Sequence, residues 1–272
     1  MEEVSRSGII ITVFSTASAV GKTLLSVNMG AELAKNGYRV CVVDLDLQYG
    51  DVCHHLQLEP QKTIFDAQAA IEKDAAAFAV EDYVTVYEGE GPEFAVVAAP
   101  LKMEEACNVS TLAVTAVLSR LRPLYDYVIL DTTAAFSELN LAVMDFSTII
   151  TFVGIVDFIP TIKNMKIGYD TMRSIGYEKN KIRFVLNRSN SKTHIELQDV
   201  EQLLEEPFYH VLPNDFAAAS RSLRCGVPLV IDNEGTRLSA SLQELVGKYT
   251  NRLSGDGSGQ PGVTSWVKRL FK

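Results

Sequence analysis

The chain has 272 residues, 47% of them hydrophobic, which is enough apolar material for one large core and too much for general disorder. Its 34 Asp and Glu outnumber 25 Lys and Arg, and the formal charge of -9 disfavours protein-wide attraction to nucleic acid, leaving room only for a local basic patch. Cys41, Cys53, Cys107 and Cys225 form no CxxC pair, the amino terminus lacks a positive flank before a long apolar run, and no stretch reaches the ~20 apolar residues of a bilayer span. The chain therefore reads as cytoplasmic and reduced.

In chain order, short apolar runs predict strands at residues 8–15, 39–44, 94–98, 127–131, 149–155, 182–187 and 208–212. Residues 83–87, followed by Glu-Gly-Glu-Gly-Pro, predict an extra strand or hairpin arm ahead of the third run. Between the runs the period moves to about 3.6: Leu25, Met29 and Leu33 share one helical face, as do Ile162, Met165, Tyr169 and Met172. Gly37, Gly176 and Gly226 stand just past helical stretches, where positive φ ends a helix cheaply. This alternation predicts an α/β fold, a mostly parallel sheet flanked by helices on both faces.

A last helical segment covers residues 236–253 and closes one domain, 1–253. Residues 254–262, rich in Gly and Ser, have nothing to bury and predict a flexible linker. Residues 263–272 follow as an amphipathic helix. Val263, Trp266, Val267, Leu270 and Phe271 make a continuous apolar stripe, with Lys268, Arg269 and Lys272 outside it. That pattern suits a membrane surface, where apolar side chains enter the headgroup boundary and cations meet anionic lipid; docking on a protein groove selects the same spacing.

The first strand runs into Thr16-Ala-Ser-Ala-Val-Gly21-Lys22-Thr23 and then a helix, the order a phosphate loop requires. Backbone N–H groups and the positive helix end can face a polyphosphate, the Lys22 ammonium can reach its terminal phosphates, and the Thr23 hydroxyl can ligand Mg²⁺. Thr16 replaces the first glycine of GxxxxGK[ST], so the motif is incomplete. Asp44, Asp46 and Asp131 fall at the C-terminal ends of the second and fourth of the seven strands, where open α/β sheets bind ligands and where carboxylates hold Mg²⁺ through water. Helix capping is the alternative role for Asp44 and Asp131.

Taken together, STASAVGKT, VVDLDLQYGD, YDYVILDTT, FVLNRSNSK and VLPNDF resemble the MinD/ParA-type ATPases, from about residue 9 to 249. Residues 44–51, 185–192 and 220–229 are similar to the CpaE/TadZ proteins of tight-adherence pilus systems. The resemblance implies a P-loop fold that binds ATP and Mg²⁺ and forms a homodimer with ATP at the interface. It implies nucleotide contacts from Ser18, Ala19, Val20, Gly21, Lys22, Thr23 and Leu24, with Lys22 and Asp46 catalytic and Asp46 orienting the hydrolytic water. Thr23, Asp131 and, in support, Asp44 would serve the metal. Asn187, Arg188 and the Pro213-Asn214-Asp215 loop would flank the adenine. An Asn amide can donate and accept toward a base edge, although a strand-end turn also selects Asn at 187.

The implied role is a spatial regulator, peripheral on the inner face of the plasma membrane, that positions a pilus or secretion apparatus. Septum placement is an alternative, as is a nucleotide-bound scaffold; DNA partitioning is disfavoured by the acidic balance and the tail. A receiver-like amino-terminal domain, carried by many CpaE proteins, is not expected, because the first strand begins near Gly8. The family's second, signature lysine is Ala17 here, and Ser18 and Ala19 replace family glycines. A comparable arginine finger contributes roughly 10³- to 10⁵-fold in rate, so slow or absent turnover is expected. His54 and His55 read as surface histidines near the nucleotide rather than metal ligands, and Cys225 as a buried helix-end residue.

Overall fold

The computed structural model describes residues 7–157, 159–189, 195–232 and 234–251. Along the chain these form β1 (Ile9–Phe14), α1 (Lys22–Lys35), β2 (Val40–Asp44), α2 (Val52–Leu56), α3 (Ile64–Asp74), β3 (Thr85–Tyr87) and β4 (Phe94–Val97). Next come α4 (Met103–Ala106), α5 (Thr111–Leu121), β5 (Tyr127–Asp131), α6 (Glu138–Phe146), β6 (Ile149–Gly154) and α7 (Ile159–Ser174). The last are β7 (Ile182–Ser189), α8 (Leu197–Leu204), β8 (His210–Pro213), α9 (Phe216–Cys225), α10 (Leu229–Asp232) and α11 (Arg237–Thr250).

The strands make one sheet in the order β3-β4-β2-β5-β1-β6-β7-β8, parallel throughout except for the edge strand β3. From central β1 the chain moves out through β2 to the β3 edge, returns to β5, and then crosses to β6, β7 and β8. The reversal beside β1 creates the crevice in which such sheets bind ligands.

Both faces of the sheet are covered, so β1 is buried along its whole length and its residues alternate between two cores. Ile9, Ile11 and Val13 pack with α1, α2, α9, α10 and α11. Ile10 packs with α3, α5 and α6 on the other side, and Phe14 with α7 and α8. The faces predicted for α1 and α7 are buried as expected. Gly37, Gly176 and Gly226 adopt positive φ, and residues 85–87 supply the predicted hairpin arm.

Observed strand limits differ from the sequence pattern by one or two residues. β8 starts at His210: the Phe208 N–H turns to the Glu201 carboxylate (2.8 Å), and the Tyr209 N–H makes the first bond to β7, at the Phe184 carbonyl (2.8 Å). β7 runs on to Ser189 through an irregularity, with Arg188 at φ 55°. No helix of the described residues is long and apolar enough to cross a membrane. The predicted linker and tail, including Val263, Trp266, Val267, Lys268, Arg269, Leu270, Phe271 and Lys272, lie outside the described residues.

Candidate functional site

The loop between β1 and α1 closes on Ser15, whose hydroxyl accepts the Ala17 N–H at 3.0 Å. Ala19 has φ 56° and Gly21 φ 94°. A Cβ at Gly21 would stand 2.5 Å from the Asn187 amide nitrogen, so both the backbone angle and the space require glycine there. Asn187 Nδ2 donates to the Val20 carbonyl (2.8 Å), and the Arg188 guanidinium donates to the Ala19 carbonyl (2.8 Å). The end of β7 therefore holds the loop from outside. α1 begins with no side-chain cap and no acidic residue in its first turn. Its first N–H groups and the positive end of its dipole are left for an anion.

Thr16, the departure from the glycine pattern, has a structural counterpart on α7. Gly168 lies against it so closely that a Cβ at 168 would fall 2.4 Å from the Thr16 methyl. The loop accepts a branched residue because the neighbouring helix lacks a side chain at that point. Ala17 is half-buried and packs against the α1 core.

Beneath the loop, the Thr23 hydroxyl donates to Asp131 Oδ2 (2.7 Å) and the Ser26 hydroxyl donates to Asp131 Oδ1 (2.9 Å). Asp44 lies opposite Asp131 in the β2–β5 register. It accepts the N–H groups of Val52 (3.0 Å) and Asp46 (3.2 Å). Gly50 permits this closure, since a Cβ there would press within 2.6 Å of Asp44 Oδ2. Burial pushes both carboxyls above the usual range: Asp44 is raised further by the charge of Asp131, while Asp131 is pulled back in part by Thr23 and Ser26. Two buried carboxylates on adjacent strand ends make a strong local demand for a cation. Thr23, Asp131 and half-exposed Asp46 offer hard oxygen donors of the kind Mg²⁺ takes. No group of three His, Cys, Asp or Glu among the described residues has the geometry of a metal site.

A cleft of about 770 Å³ opens above these groups. Of the residues anticipated from sequence, Ser18, Ala19, Gly21, Lys22, Thr23, Leu24, Asp46, Asn187, Arg188, Pro213, Asn214 and Asp215 line it. Val20 is buried with its carbonyl on Asn187, and Asp44 and Asp131 sit below the floor. Asp215 also caps α9 by accepting the Ala218 N–H (3.0 Å). The far wall was not anticipated. There Phe216, Ala219, Ser220 and Leu223 present one face of α9 at i, i+3, i+4 and i+7, a spacing that the sequence does display. Ser26, also not anticipated, stands one helical turn past Thr23.

Two expectations need correction. His54 is exposed, but His55 is buried, because α2 turns it toward the cleft between α1 and α9 rather than to solvent. Cys225 ends α9 as expected yet is exposed. The neighbouring Ser222 is the residue that turns inward, its hydroxyl donating to the Val227 carbonyl (2.6 Å).

A parallel sheet with a phosphate loop after its central strand, and carboxylates on the adjoining strand ends, defines a P-loop nucleotide-binding protein. The chain belongs to the CobQ/CobB/MinD/ParA nucleotide binding domain family, whose model matches residues 11–225. It is 24% identical over 260 residues to the septum site-determining protein MinD of Thermotoga maritima, covering 92% of this chain and 89% of that one. A ParA family ATPase from Chlorobium tepidum has the same fold, with a TM-score of 0.79 at 18% identity over 89% of this chain and 98% of its own. So has the Pyrococcus horikoshii septum site-determining protein MinD, complexed with Mg-ADP (TM-score 0.77, 20% identity, 91% and 98% coverage).

Proposed function

We propose that this chain is a MinD/ParA-like ATPase that binds ATP with Mg²⁺ in the cleft and pairs with a second copy of itself. The observation that carries the reading is the stack of uncapped α1, Thr23 and the buried Asp44–Asp131 pair. In it the helix end and Lys22 would receive phosphates, Thr23 and Asp131 would hold the metal shell, and Asp46 would orient water. Bound Mg²⁺ would supply neutralisation of the phosphate charge. Asn187, Arg188 and the 213–215 loop border the nucleoside.

Dimerisation through the ligand face is supported by what that face exposes. Tyr49, Leu101, Leu112, Ile159 and Phe216, between 68 and 81% exposed, all belong to segments at the C-terminal ends of parallel strands. Tyr49 and Phe216 border the cleft itself, and exposed apolar side chains on that end of the sheet suit a partner. Ala17 leaves the loop without the family's second lysine, so turnover is slow; a nucleotide-bound scaffold is the limiting case. The CpaE/TadZ-like segments favour positioning of a pilus or secretion apparatus, and the MinD relatives favour septum placement. The 263–272 stripe would carry the protein to the inner membrane surface, with domain 1–253 and linker 254–262 behind it. The net charge of -9 speaks against DNA partitioning.

Measuring hydrolysis together with molar mass in ATP, ADP and no nucleotide tests this reading. Slow hydrolysis and a doubled mass in ATP are expected, with Ala17→Lys raising the rate. Family-typical turnover in the wild type would refute the role given to Ala17. A mass unchanged by ATP would refute the dimer.

A further inference from the structure

The phosphate and metal chemistry leaves a buried, unpartnered polar group of the cleft unused. His55, on α2, is only 6% exposed, and its Nε2 is buried without a hydrogen-bond partner. It lines the same cleft as Leu24, Ser220, Leu223 and Leu238. Its neighbours on α2, Val52 and Leu56, lie in the apolar core, and a side chain there for packing alone needs no ring nitrogen. Burial holds the imidazole pKa down to about 4, against the opposing pull of Asp51, so the ring is neutral near pH 7 with one donor and one acceptor nitrogen. An orphaned nitrogen inside a ligand cleft is satisfied when its partner arrives with the ligand.

Geometry narrows which part of a ligand that is. The phosphates belong at the loop and the α1 end. The nucleoside must continue past Leu24, into the part of the cleft lined by Asn187, residues 213–215 and the inward faces of α2, α9 and α11. There His55 contributes the buried, unpartnered polar atom. We infer that His55 is a specificity-determining residue, its Nε2 forming a hydrogen bond with the ribose or base of the bound nucleotide. This rests on the nucleotide reading above and adds to it a nucleoside contact from α2.

Isothermal titration of the full chain with Mg-ATP and with Mg-triphosphate (the inorganic anion), on wild type, His55→Leu and His55→Gln, tests it. His55→Leu should weaken ATP about tenfold, the effect of one hydrogen bond, and leave triphosphate unchanged. His55→Gln, which keeps a donor and an acceptor, should recover part of the loss. ATP affinity within twofold of wild type in both variants would overturn the inference. So would equal loss of both ligands with a lowered Tm, which marks a packing role. If His55→Leu does not fold, His55→Met, which also lacks the ring nitrogens, is read in the same way. A wild type that binds neither ligand refutes the nucleotide reading itself.

Discussion

Two buried histidines, at opposite ends of the sheet, are treated differently. His210 opens β8 at the N-terminal end, 5% exposed, with Nδ1 on the Lys248 ammonium (3.0 Å) and Nε2 on the Ser241 hydroxyl (2.9 Å). His55, as deeply buried, has an Nε2 with no partner at the cleft. The charges follow the same division. At the N-terminal end the Arg39 guanidinium straddles Asp126 (3.1 and 3.3 Å). At the C-terminal end Asp44 and Asp131 lie side by side with their ionised forms disfavoured. One end is finished by folding alone, and the other is left for a ligand to complete.

The contrast can be broken by substitution, starting with the largest effect. Lys22→Ala should weaken Mg-ATP about 100-fold in calorimetry, the loss of charge-assisted phosphate contacts, while Tm moves little. Asp131→Asn should stabilise the nucleotide-free protein by about 2 kcal/mol near pH 8, by about half of that near pH 5 and by little below pH 4 in urea melts. The sign follows from the raised folded pKa: stability from the neutral carboxyl is complete below the unfolded value near 4 and is lost as pH rises through the folded one. The same variant should lose the Mg²⁺ dependence of ATP binding. Gly168→Ala drives a methyl into Thr16 and should cost about 1–2 kcal/mol and shift the loop, with Thr16→Gly restoring both stability and ATP affinity in the double variant. Arg39→Ala, at the finished end, should lower stability by under about 1 kcal/mol because the pair is exposed, and leave ATP affinity unchanged.

What the sequence made legible was local. Gly21-Lys22-Thr23 lies between a strand run and a helical period, and Asp44 and Asp131 end apolar runs, so the loop and the carboxylates were found without coordinates. Their mutual placement was not, because β2 and β5 are neighbours only through two crossovers. Ser26 on Asp131, Asn187 on Val20 and Gly168 against Thr16 join residues 105, 167 and 152 positions apart, and no periodicity carries such pairings. His55 was misjudged because two adjacent histidines on a short helix look alike in sequence, while α9, arriving about 160 residues later, covers only one.

The most direct test of the unfinished end is calorimetric titration of ATP into the wild-type chain, in Mg²⁺ and again in EDTA. Tighter binding with Mg²⁺, the difference vanishing in Asp131→Asn, is the predicted result. Equal affinity in the two buffers, or no binding in either, would contradict the assignment of that end of the sheet to a magnesium nucleotide.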